Sequence, residues 1–423
     1  MTDSIEIKTL PKASGTVSAP PSKSYSNRAY VIAALANGTT RLQRPLFSDD
    51  TRYMKQALAA FGVTVEEGPE SVTVHGCDGD LAIPGEELFV GNAGTTMRFL
   101  TTLGALAPGE VRITGNERMQ ERPIRDLLDA LNEMGVDAQS VKNNDCPPVV
   151  LKGGGVPGGT VHLAGDKSSQ YLTSLMLSAP YFKNDTIIKI QGELTSKPYV
   201  DLTLDIMKTF GVTVENESYK EFRISSGSHY TGRSYEIEGD ASSASYFFAA
   251  AAVTGGTVTV DHLNPESAQG DIGFPAVLEQ MGCTVKKDEG KITLTGNPLR
   301  GVTVSMNSMP DVAQTLAVVA LFAEGPTTMT GIANLRIKET DRIGALASEL
   351  TKLGATVIAG EDRITIHPGS FSQDGTAIET FDDHRMAMSF AIAGLKVPGV
   401  KILEPGCVNK SFPEFFQQLE KIY

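Results

Sequence analysis

Gly91-Asn-Ala-Gly-Thr-Thr-Met-Arg98 is a run of small polar residues that leads directly into an apolar stretch. This pattern, typical of a helix start, also occurs at residues 21–28, 165–170, 239–243, 308–311 and 381–385. The equivalent points are Ser24, Thr95, Ser168, Ser242, Asp311 and His384. Their nearly even spacing along the chain predicts six structural repeats.

A second marker keeps the same period. The pattern Gly-x-x-Val/Ala recurs once in each of the first five cycles, at Gly62, Gly135, Gly211, Gly282 and Gly354. The residue pattern of each cycle predicts an apolar first helix, a strand, an amphipathic second helix and a hairpin. Examples from different cycles are 312–323 for the first helix, 257–260 for the strand, 346–353 for the second helix and 292–295 with 302–305 for the hairpin.

The sixth cycle stops after its second helix and lacks a hairpin. Residues 5–8 and 15–18 have the alternation of apolar and polar residues that is typical of a hairpin. Residues 1 to about 19 are therefore predicted to complete the last copy. A chain of 423 residues is too long for one ordinary core. We expect two domains of three repeats each, 20–238 and 1–19 plus 239–423.

Composition narrows the class of protein. The chain is 41% hydrophobic and 21% charged, with a net charge of −13, so it is predicted to be globular and not to bind nucleic acid. It has no apolar run of membrane-spanning length and no signal-peptide pattern at its start. Its four cysteines show no paired spacing, and no metal site is indicated. A cytoplasmic protein is expected.

Cations are concentrated at or near the repeat helix starts, where Arg and Lys suit carboxylate and phosphate groups. They are Lys23, Arg28, Arg98, Arg122, Lys338, Arg342, Arg385 and Lys410. Neutral groups suited to anions lie beside them, namely Ser24, Asn92, Gly94, Ser168, Ser169, Gln170 and Ser196. The fourth copy, 239–243 with 269–271, has no cation. The fold therefore does not require cations at the helix starts. This favours a ligand-binding role for the cations of the other copies.

Each feature also has an ordinary structural explanation. Ser, Asp or Asn at a helix start is most often a plain cap. Lys338-Glu-Thr-Asp-Arg342 fits a solvated helix face with i,i+4 pairs, and His384 fits a structural position. Gly91-Asn-Ala-Gly94 lacks the spacing and the lysine of a nucleotide-binding loop.

Taken together, the motifs resemble the 5-enolpyruvylshikimate-3-phosphate synthases along essentially the whole chain. The resemblance rests on residues 22–28, 92–95, 121–123, 168–170, 196–199, 239–246, 334–342 and 383–388. It implies an α/β (α+β) fold, a two-domain inside-out α/β barrel of six βαβαββ repeats, with the active site in the interdomain cleft. It also implies transfer of the enolpyruvyl group of phosphoenolpyruvate to the 5-hydroxyl of shikimate 3-phosphate, with release of phosphate and no cofactor.

The resemblance assigns residues to each substrate. For shikimate 3-phosphate they are Lys23, Ser24, Arg28, Ser168, Ser169, Gln170, Ser196, Tyr199, Asp311, Asn334 and Lys338. For phosphoenolpyruvate they are Lys23, Asn92, Gly94, Arg122, Gln170, Arg342, Arg385 and Lys410. Supporting positions are Asp50, Thr95, Arg98 and His384. Asp311 is implied to be the base for the 5-hydroxyl, with Glu339 and Lys23 as proton carriers.

Two positions depart from the family pattern, since Thr96 and Phe99 stand where alanine and proline are common. We expect the lost proline to relax the first helical turn and Phe99 to add bulk behind the phosphoenolpyruvate pocket. We also expect moderate sensitivity to the inhibitor glyphosate.

Two alternatives remain. The sister enzyme that uses UDP-N-acetylglucosamine has a cysteine in the second repeat, yet residues 78–145 contain none. A non-catalytic repeat scaffold would need an exposed apolar or regular concave surface. The resemblance favours a monomer.

Overall fold

The computed structural model describes residues 4–371 and 375–423. The first three residues of the expected segment 1–19 therefore lie outside the described part. The chain forms two compact units, unit 1 from Met1–Pro20 with Glu238–Tyr423 and unit 2 from Pro21–Ile237.

Apolar first helices and amphipathic second helices alternate along the described chain, as the repeat predicts. They are α1 (Lys23–Leu35), α2 (Asp49–Ala60), α3 (Gly94–Leu106), α4 (Arg125–Glu133), α5 (Ser169–Ser178), α6 (Lys197–Thr209), α7 (Ala241–Thr254), α8 (Phe274–Gln280), α9 (Ala313–Ala320), α10 (Arg342–Lys352), α11 (His384–Gly394) and α12 (Phe415–Glu420). Odd-numbered helices are the first helices of the repeats and even-numbered helices are the second.

Short strands connect them. They are β1 (Ser4–Glu6), β2 (Ser14–Ser18), β3 (Thr39–Gln43), β4 (Thr64–Glu67), β5 (Ser71–His75), β6 (Leu88–Phe89), β7 (Glu110–Thr114), β8 (Asp137–Ser140), β9 (Val149–Lys152), β10 (Gly159–Ala164), β11 (Thr186–Gln191), β12 (Glu215–Glu217), β13 (Glu221–Ile224), β14 (Ser234–Glu236), β15 (Thr257–Asp261), β16 (Thr284–Asp288), β17 (Lys291–Thr295), β18 (Leu299–Arg300), β19 (Thr303–Ser305), β20 (Ala323–Glu324), β21 (Thr327–Thr330), β22 (Thr356–Ala359), β23 (Arg363–His367), β24 (Thr376–Ile378) and β25 (Val400–Leu403).

Each repeat builds one small mixed sheet. In unit 2 the strand orders are β14-β3-β5-β4, β6-β7-β9-β8 and β10-β11-β13-β12, and in unit 1 they are β2-β15-β17-β16, β19-β21-β23-β22 and β24-β25-β1. The first pair in each sheet is parallel and the remaining pairs are antiparallel. A parallel pair needs a helical crossover, whereas an antiparallel pair needs only a turn. The sheets and helices confirm the predicted α/β class.

The strand pairing corrects two details of the prediction. In the fourth repeat β17 forms its hairpin with β16, directly after α8, and not with residues 302–305. The strand at 303–305 instead joins β21 in the next sheet. The segment at the N-terminus is also divided, because β1 pairs with β25 of the sixth copy whereas β2 pairs with β15 of the fourth. Residues 1 to about 19 therefore do not all complete the last copy.

The first helices form the centre of each unit. In unit 2, α1, α3 and α5 pack against one another, and in unit 1 so do α7, α9 and α11. Every residue of α7 is buried, as expected for a helix that is apolar or small on all sides. In the described ranges no helix is long and apolar enough to cross a membrane. Because these helices are buried along their length, the polar side chains at their starts are held by a rigid core.

Each second helix of the first five repeats ends at one of the marker glycines. Gly62, Gly135, Gly211, Gly282 and Gly354 all have positive φ, from 85° to 121°, and each lies two residues beyond its helix. Glycine adopts this left-handed conformation without the steric penalty of a side chain. The second sequence marker is therefore a helix-termination signal.

Replacing Gly211 with alanine isolates this backbone effect. Gly211 has φ +96°, and a Cβ there would have no neighbour closer than 3.9 Å. We expect Gly211→Ala to lower the free energy of unfolding by about 1–2 kcal/mol through backbone strain alone, as measured by urea denaturation. Gly85→Ala is the matched control, since Gly85 has no neighbour within 4 Å and no positive φ. Equal stability of the two variants would contradict this account.

Candidate active site

Arg28 is the most informative cation of unit 2. It lies on α1 with 2% of its surface exposed. Its Nε donates to Thr203 Oγ1 at 2.8 Å, its Nη1 to the Ser24 carbonyl oxygen at 2.9 Å, and its Nη2 to the Tyr199 carbonyl oxygen at 3.1 Å. Side chains and backbone from α1 and α6 thus hold the guanidinium in one orientation.

All of these partners are electrically neutral. Within the described residues, no carboxylate oxygen lies within 4.0 Å of the Arg28 guanidinium. Burial lowers the pKa of Arg28 from 12.5 to about 10, because removing a cation from water disfavours its charged form. A buried charge without a counter-ion is unfavourable in the empty protein. Arg28 is therefore a candidate site for an anionic ligand.

A second cluster joins the starts of α1 and α3. Lys23 Nζ lies 3.4 Å from Asp50 Oδ2, and the Asp50 side chain is almost fully buried. Thr96 Oγ1 donates to the Asp50 carbonyl oxygen at 3.2 Å. Asp50, a first-turn residue of α2, therefore ties Lys23 to α3. Asp50 thus supports the position of Lys23.

Arg122 lies against the start of α3. Its Nη1 donates at 3.0 Å to both the carbonyl and the side-chain oxygen of Asn92. A Cβ at position 94 would lie 2.4 Å from Arg122 Nη2. The guanidinium can approach the helix start this closely because residue 94 is glycine. Asn92, Gly94 and Arg122 are thus brought together as expected.

The starts of α5 and α6 carry the serines. Ser168 is the N-cap of α5, and its side chain accepts a hydrogen bond from the Gln170 amide. Gln170 Nε2 donates to Thr95 Oγ1 at 3.2 Å, which joins α5 to α3. Ser169 begins α5, and Ser196 precedes α6 with φ 55°. Ser196 therefore lies in a conformation that non-glycine residues seldom adopt, as is often seen at functional sites.

The two departures from the family pattern also lie in α3. Phe99 is the sixth residue of the helix, so the expectation that its change relaxes the first turn is wrong. Its ring instead lies 5.5 Å from the Arg28 guanidinium carbon, a cation–π contact. Arg98 is buried and donates to the carbonyl oxygens of Gly94 and Pro123, which anchors the helix.

Arg342 is the centre of the charged cluster in unit 1. It has 1% of its side chain exposed and contacts Asp383 at 2.7 Å, Glu339 at 3.0 Å and Asp311 at 3.3 Å. Burial alone would lower its pKa, but the three carboxylates raise it above the usual value. Residues 338–340 form a bend, and Asp341 is the N-cap of α10. The explanation of 338–342 as a solvated helix face is therefore wrong.

Asp311 is shared by two arginines. Its Oδ2 lies 2.9 Å from Arg385 Nη2, while its Oδ1 faces Arg342. Arg385 Nη1 also lies 3.5 Å from the Tyr246 hydroxyl, and burial raises the pKa of Tyr246 to about 12. Asp311 is half-buried, so it remains accessible while both of its oxygens are oriented.

Glu339 links the cluster to Lys410. The Lys410 Nζ lies 3.8 Å from Glu339 Oε1, and both side chains are about nine-tenths buried. Three carboxylates (Asp311, Glu339 and Asp383) thus match three cations (Arg342, Arg385 and Lys410). Asn334 lies in a 3₁₀ turn and Lys338 directly after it. His384 is buried at the start of α11, 3.6 Å from Asp383.

Sequence reasoning gave Asp383 no role. The structure shows that it caps α11 through the Arg385 amide at 2.9 Å and also forms the shortest contact to Arg342. An aspartate at a helix start has the same local pattern whether it is a plain cap or a counter-ion. Only the long-range contact with Arg342, on a different helix, distinguishes the two roles.

Known proteins that are similar to this chain show its family. The family model described as EPSP synthase (3-phosphoshikimate 1-carboxyvinyltransferase) matches residues 7–419. The chain belongs to the EPSP synthase family. It is 47% identical to the 3-phosphoshikimate 1-carboxyvinyltransferase of Serratia proteamaculans, over 100% of this chain and 99% of that protein. The corresponding protein of Pseudoalteromonas translucida is 45% identical over 99% of each chain.

A solved structure of EPSP synthase from Acinetobacter baumannii has a TM-score of 0.81 and 29% identity, covering 99% of this chain and 97% of that one. Membership of this family makes the chain an enzyme, a carboxyvinyl transferase. The scaffold interpretation is therefore wrong, and the resemblance to EPSP synthases is confirmed.

Proposed function

We propose that this chain transfers the enolpyruvyl group of phosphoenolpyruvate to the 5-hydroxyl of shikimate 3-phosphate and releases phosphate. This reaction leads to chorismate and the aromatic amino acids. Family membership supports the reaction. The observation that carries the proposal is the buried Arg28 without a carboxylate partner, because both substrates are small anions with a carboxylate and a phosphate.

We assign shikimate 3-phosphate mainly to the cluster around Arg28. Arg28 faces the carboxylate of this substrate, since a guanidinium binds carboxylates in a paired geometry. The start of α5 and the turn before α6 hold the phosphate through Ser168, Ser169 and Ser196. The proposed set is completed by Lys23, Ser24, Gln170, Tyr199, Asp311, Asn334 and Lys338.

Phosphoenolpyruvate is assigned to the remaining cations. Arg122 lies at the start of α3, where backbone amides and the helix dipole also favour an anion. The proposed set is Lys23, Asn92, Gly94, Arg122, Gln170, Arg342, Arg385 and Lys410. Each of the arginines is fixed by hydrogen bonds or ion pairs, so its orientation does not have to be established when substrate binds.

The chemistry follows from these positions. Asp311 accepts the proton of the 5-hydroxyl, whose oxygen bonds to C2 of phosphoenolpyruvate while C3 gains a proton. The tetrahedral intermediate then loses phosphate as C3 returns a proton. Glu339 and Lys23 carry the C3 protons, and Arg122 and Lys410 stabilise the charge on the departing phosphate.

Three further proposals accompany the activity. Residues 20–238 and 1–19 plus 239–423 act as the two functional domains, and both contribute groups to the same reaction. The protein works as a monomer. It works in the cytoplasm.

Phosphate release by the purified protein tests the proposal. The protein is given phosphoenolpyruvate with either shikimate 3-phosphate or UDP-N-acetylglucosamine as the acceptor. We expect release only with shikimate 3-phosphate. Release with the nucleotide sugar alone would overturn the acceptor assignment, and no release with either acceptor would overturn the proposed activity.

A further inference from the structure

Glu349, on α10, is a buried acid that the proposed mechanism does not use. Its side chain is 0% exposed. Its Oε2 lies 2.7 Å from Lys352 Nζ and accepts a hydrogen bond from the Glu379 backbone amide at 3.1 Å. Within the described ranges its Oε1 has no hydrogen-bond partner. The acid therefore acts through one oxygen, which joins α10 to the chain just after β24.

The ion pair with Lys352 does not explain why an acid is buried here. Lys352 lies one turn further along the same helix, and its side chain is 39% exposed. Such a pair near the surface stabilises a helix only slightly, whereas removing a carboxylate from water is costly. Of the two polar contacts of Glu349, the one that reaches beyond α10 is the hydrogen bond from the Glu379 amide.

The same helix also contacts the other end of this segment. Arg342, the first residue of α10, donates from Nε to Asp383 Oδ2 at 2.7 Å. Arg342 and Glu349 are seven residues apart in the helix, so they lie on one face, about 10 Å apart along the axis. Glu379 and Asp383 are four residues apart in the segment. Two side chains of α10 therefore hold both of its ends.

The backbone between those ends is strained. Phe381 and Asp382 have φ of 54° and 52°, a left-handed conformation that costs free energy in residues other than glycine. Both residues are exposed, so packing of their side chains does not fix the turn. The Asp383 amide donates to the Thr380 carbonyl oxygen at 2.9 Å. A strained turn persists where its surroundings hold it in place, and the two contacts with α10 do so.

The turn leads directly into α11, which carries a cation of the proposed site. Asp383 is the N-cap of α11 and accepts a hydrogen bond from the Arg385 amide at 2.9 Å. The same carboxylate contacts Arg342. The position of Asp383 therefore affects both arginines.

We propose that Glu349 is a positioning residue that keeps this turn in the shape required to bind phosphoenolpyruvate. Its hydrogen bond fixes the Glu379 amide, so that the turn places Asp383 against Arg342 and at the start of α11. The inference rests on the function proposed above, in which Arg342 and Arg385 bind phosphoenolpyruvate. Without the hydrogen bond, the left-handed residues of the turn relax and the two arginines lose their common orientation.

Two substitutions of Glu349 test the inference. Glu349→Ala removes the hydrogen bond, whereas Glu349→Gln keeps it, because an amide oxygen can accept from both groups that contact Oε2. The KM for each substrate is measured by steady-state phosphate release. We expect Glu349→Ala to raise the KM for phosphoenolpyruvate about 10-fold through misplacement of the arginines, and to change the KM for shikimate 3-phosphate by less than about 2-fold. Glu349→Gln should restore the KM for phosphoenolpyruvate to within about 2-fold of the wild type.

Lys352→Met separates fold stability from positioning. It removes the ion pair but leaves the carboxylate bonded to the Glu379 amide. We expect Lys352→Met to lower the Tm, because the buried acid loses its counter-ion, and to leave both KM values unchanged. An equal rise of the KM for phosphoenolpyruvate in Lys352→Met and Glu349→Ala would show that the acid serves only the fold, and would overturn the inference.

Substitutions of Glu379 test the same hydrogen bond if Glu349→Ala does not fold. Glu379→Pro removes the amide hydrogen, and proline favours an extended residue before it, as Ile378 is at the end of β24. Glu379→Ala keeps the amide and loses only an exposed side chain. We expect the KM for phosphoenolpyruvate to rise about 10-fold in the proline variant alone. Equal KM values in the two variants would overturn the inference.

Hydrogen exchange of the ligand-free protein gives a readout that needs no substrate. The Asp383 amide, which is bonded to the Thr380 carbonyl oxygen, reports whether the turn is closed. We expect this amide to exchange about 10-fold faster in Glu349→Ala and at the wild-type rate in Lys352→Met. An unchanged rate in Glu349→Ala would overturn the inference.

The outcomes distinguish this inference from the proposed function. If the wild type releases phosphate with shikimate 3-phosphate and Glu349→Ala has an unchanged KM for phosphoenolpyruvate, the role of Glu349 is overturned and the proposed function stands. If the wild type releases no phosphate, the proposed function is overturned, and this inference with it.

Discussion

Asp311→Asn is expected to lower kcat by a factor of about 10²–10⁴, the range typical of a lost general base. Asparagine cannot accept the 5-hydroxyl proton. The two arginines that orient Asp311, at 2.9 Å and 3.3 Å, would instead face a neutral amide. We expect the KM for phosphoenolpyruvate to stay the same or fall, because Arg385 loses a competing carboxylate.

Steady-state phosphate release at saturating substrates measures this effect, and circular dichroism checks the fold. Asp288→Asn is the matched control, since it removes a partly exposed acid that pairs with Lys286 and not with the cluster, and it should retain full kcat. If Asp311→Asn retained more than about a tenth of the wild-type kcat, Asp311 would not be the base.

Arg28→Met is expected to raise the KM for shikimate 3-phosphate about 100-fold, as loss of a charge-assisted carboxylate contact predicts. In the ligand-free protein, by contrast, the substitution should not greatly lower the free energy of unfolding, although replacing a buried residue usually does. The depressed pKa means that the folded state holds this proton less tightly than the unfolded chain. At neutral pH, below both values, the whole unfavourable contribution of the buried charge is present.

The polar partners of Arg28 retain other contacts in this variant. Thr203 Oγ1 donates to the Tyr199 carbonyl oxygen at 2.7 Å and lies 3.1 Å from Thr173 Oγ1. We therefore expect the ligand-free unfolding free energy to stay within about 1 kcal/mol of the wild type or to rise.

Thermal unfolding with and without shikimate 3-phosphate measures both effects. The ligand should raise the Tm of the wild type but have little effect on Arg28→Met. Arg41→Met, at an exposed arginine, should behave like the wild type in both assays. A ligand-free Arg28→Met that is strongly destabilised would show that Arg28 serves the fold instead.

The repeat, the helix positions and the clustering of cations were all predictable, because each is encoded by local residue patterns. The helix-ending glycines are an example, since a positive φ is a property of one residue and its neighbours. Strand partners were not predictable in the same way. β2 has the alternation of an ordinary strand, and nothing in residues 14–18 states that its partner is β15, which lies beyond the whole of unit 2 in the sequence.

The same limit applies within the candidate site. The types and spacing of Lys23, Arg122 and Arg342 were informative from the sequence, and each is held by a contact of its own. Their shared role stays a prediction. The absence of a carboxylate near Arg28 and the presence of two roles in Asp383 depend on which distant residues approach them. Such facts arise only from tertiary packing.

The pairing of β1 with β25 has a consequence for synthesis of the chain. Residues 401–403 are made about 400 residues after residues 4–6, which at roughly 5–20 residues per second means a delay of tens of seconds. Pro21–Ile237, whose final strand β14 pairs with β3, has all its strand partners long before then. During translation β1 therefore remains without its strand partner until residues 401–403 have been made, whereas β2 gains its partner β15 much earlier.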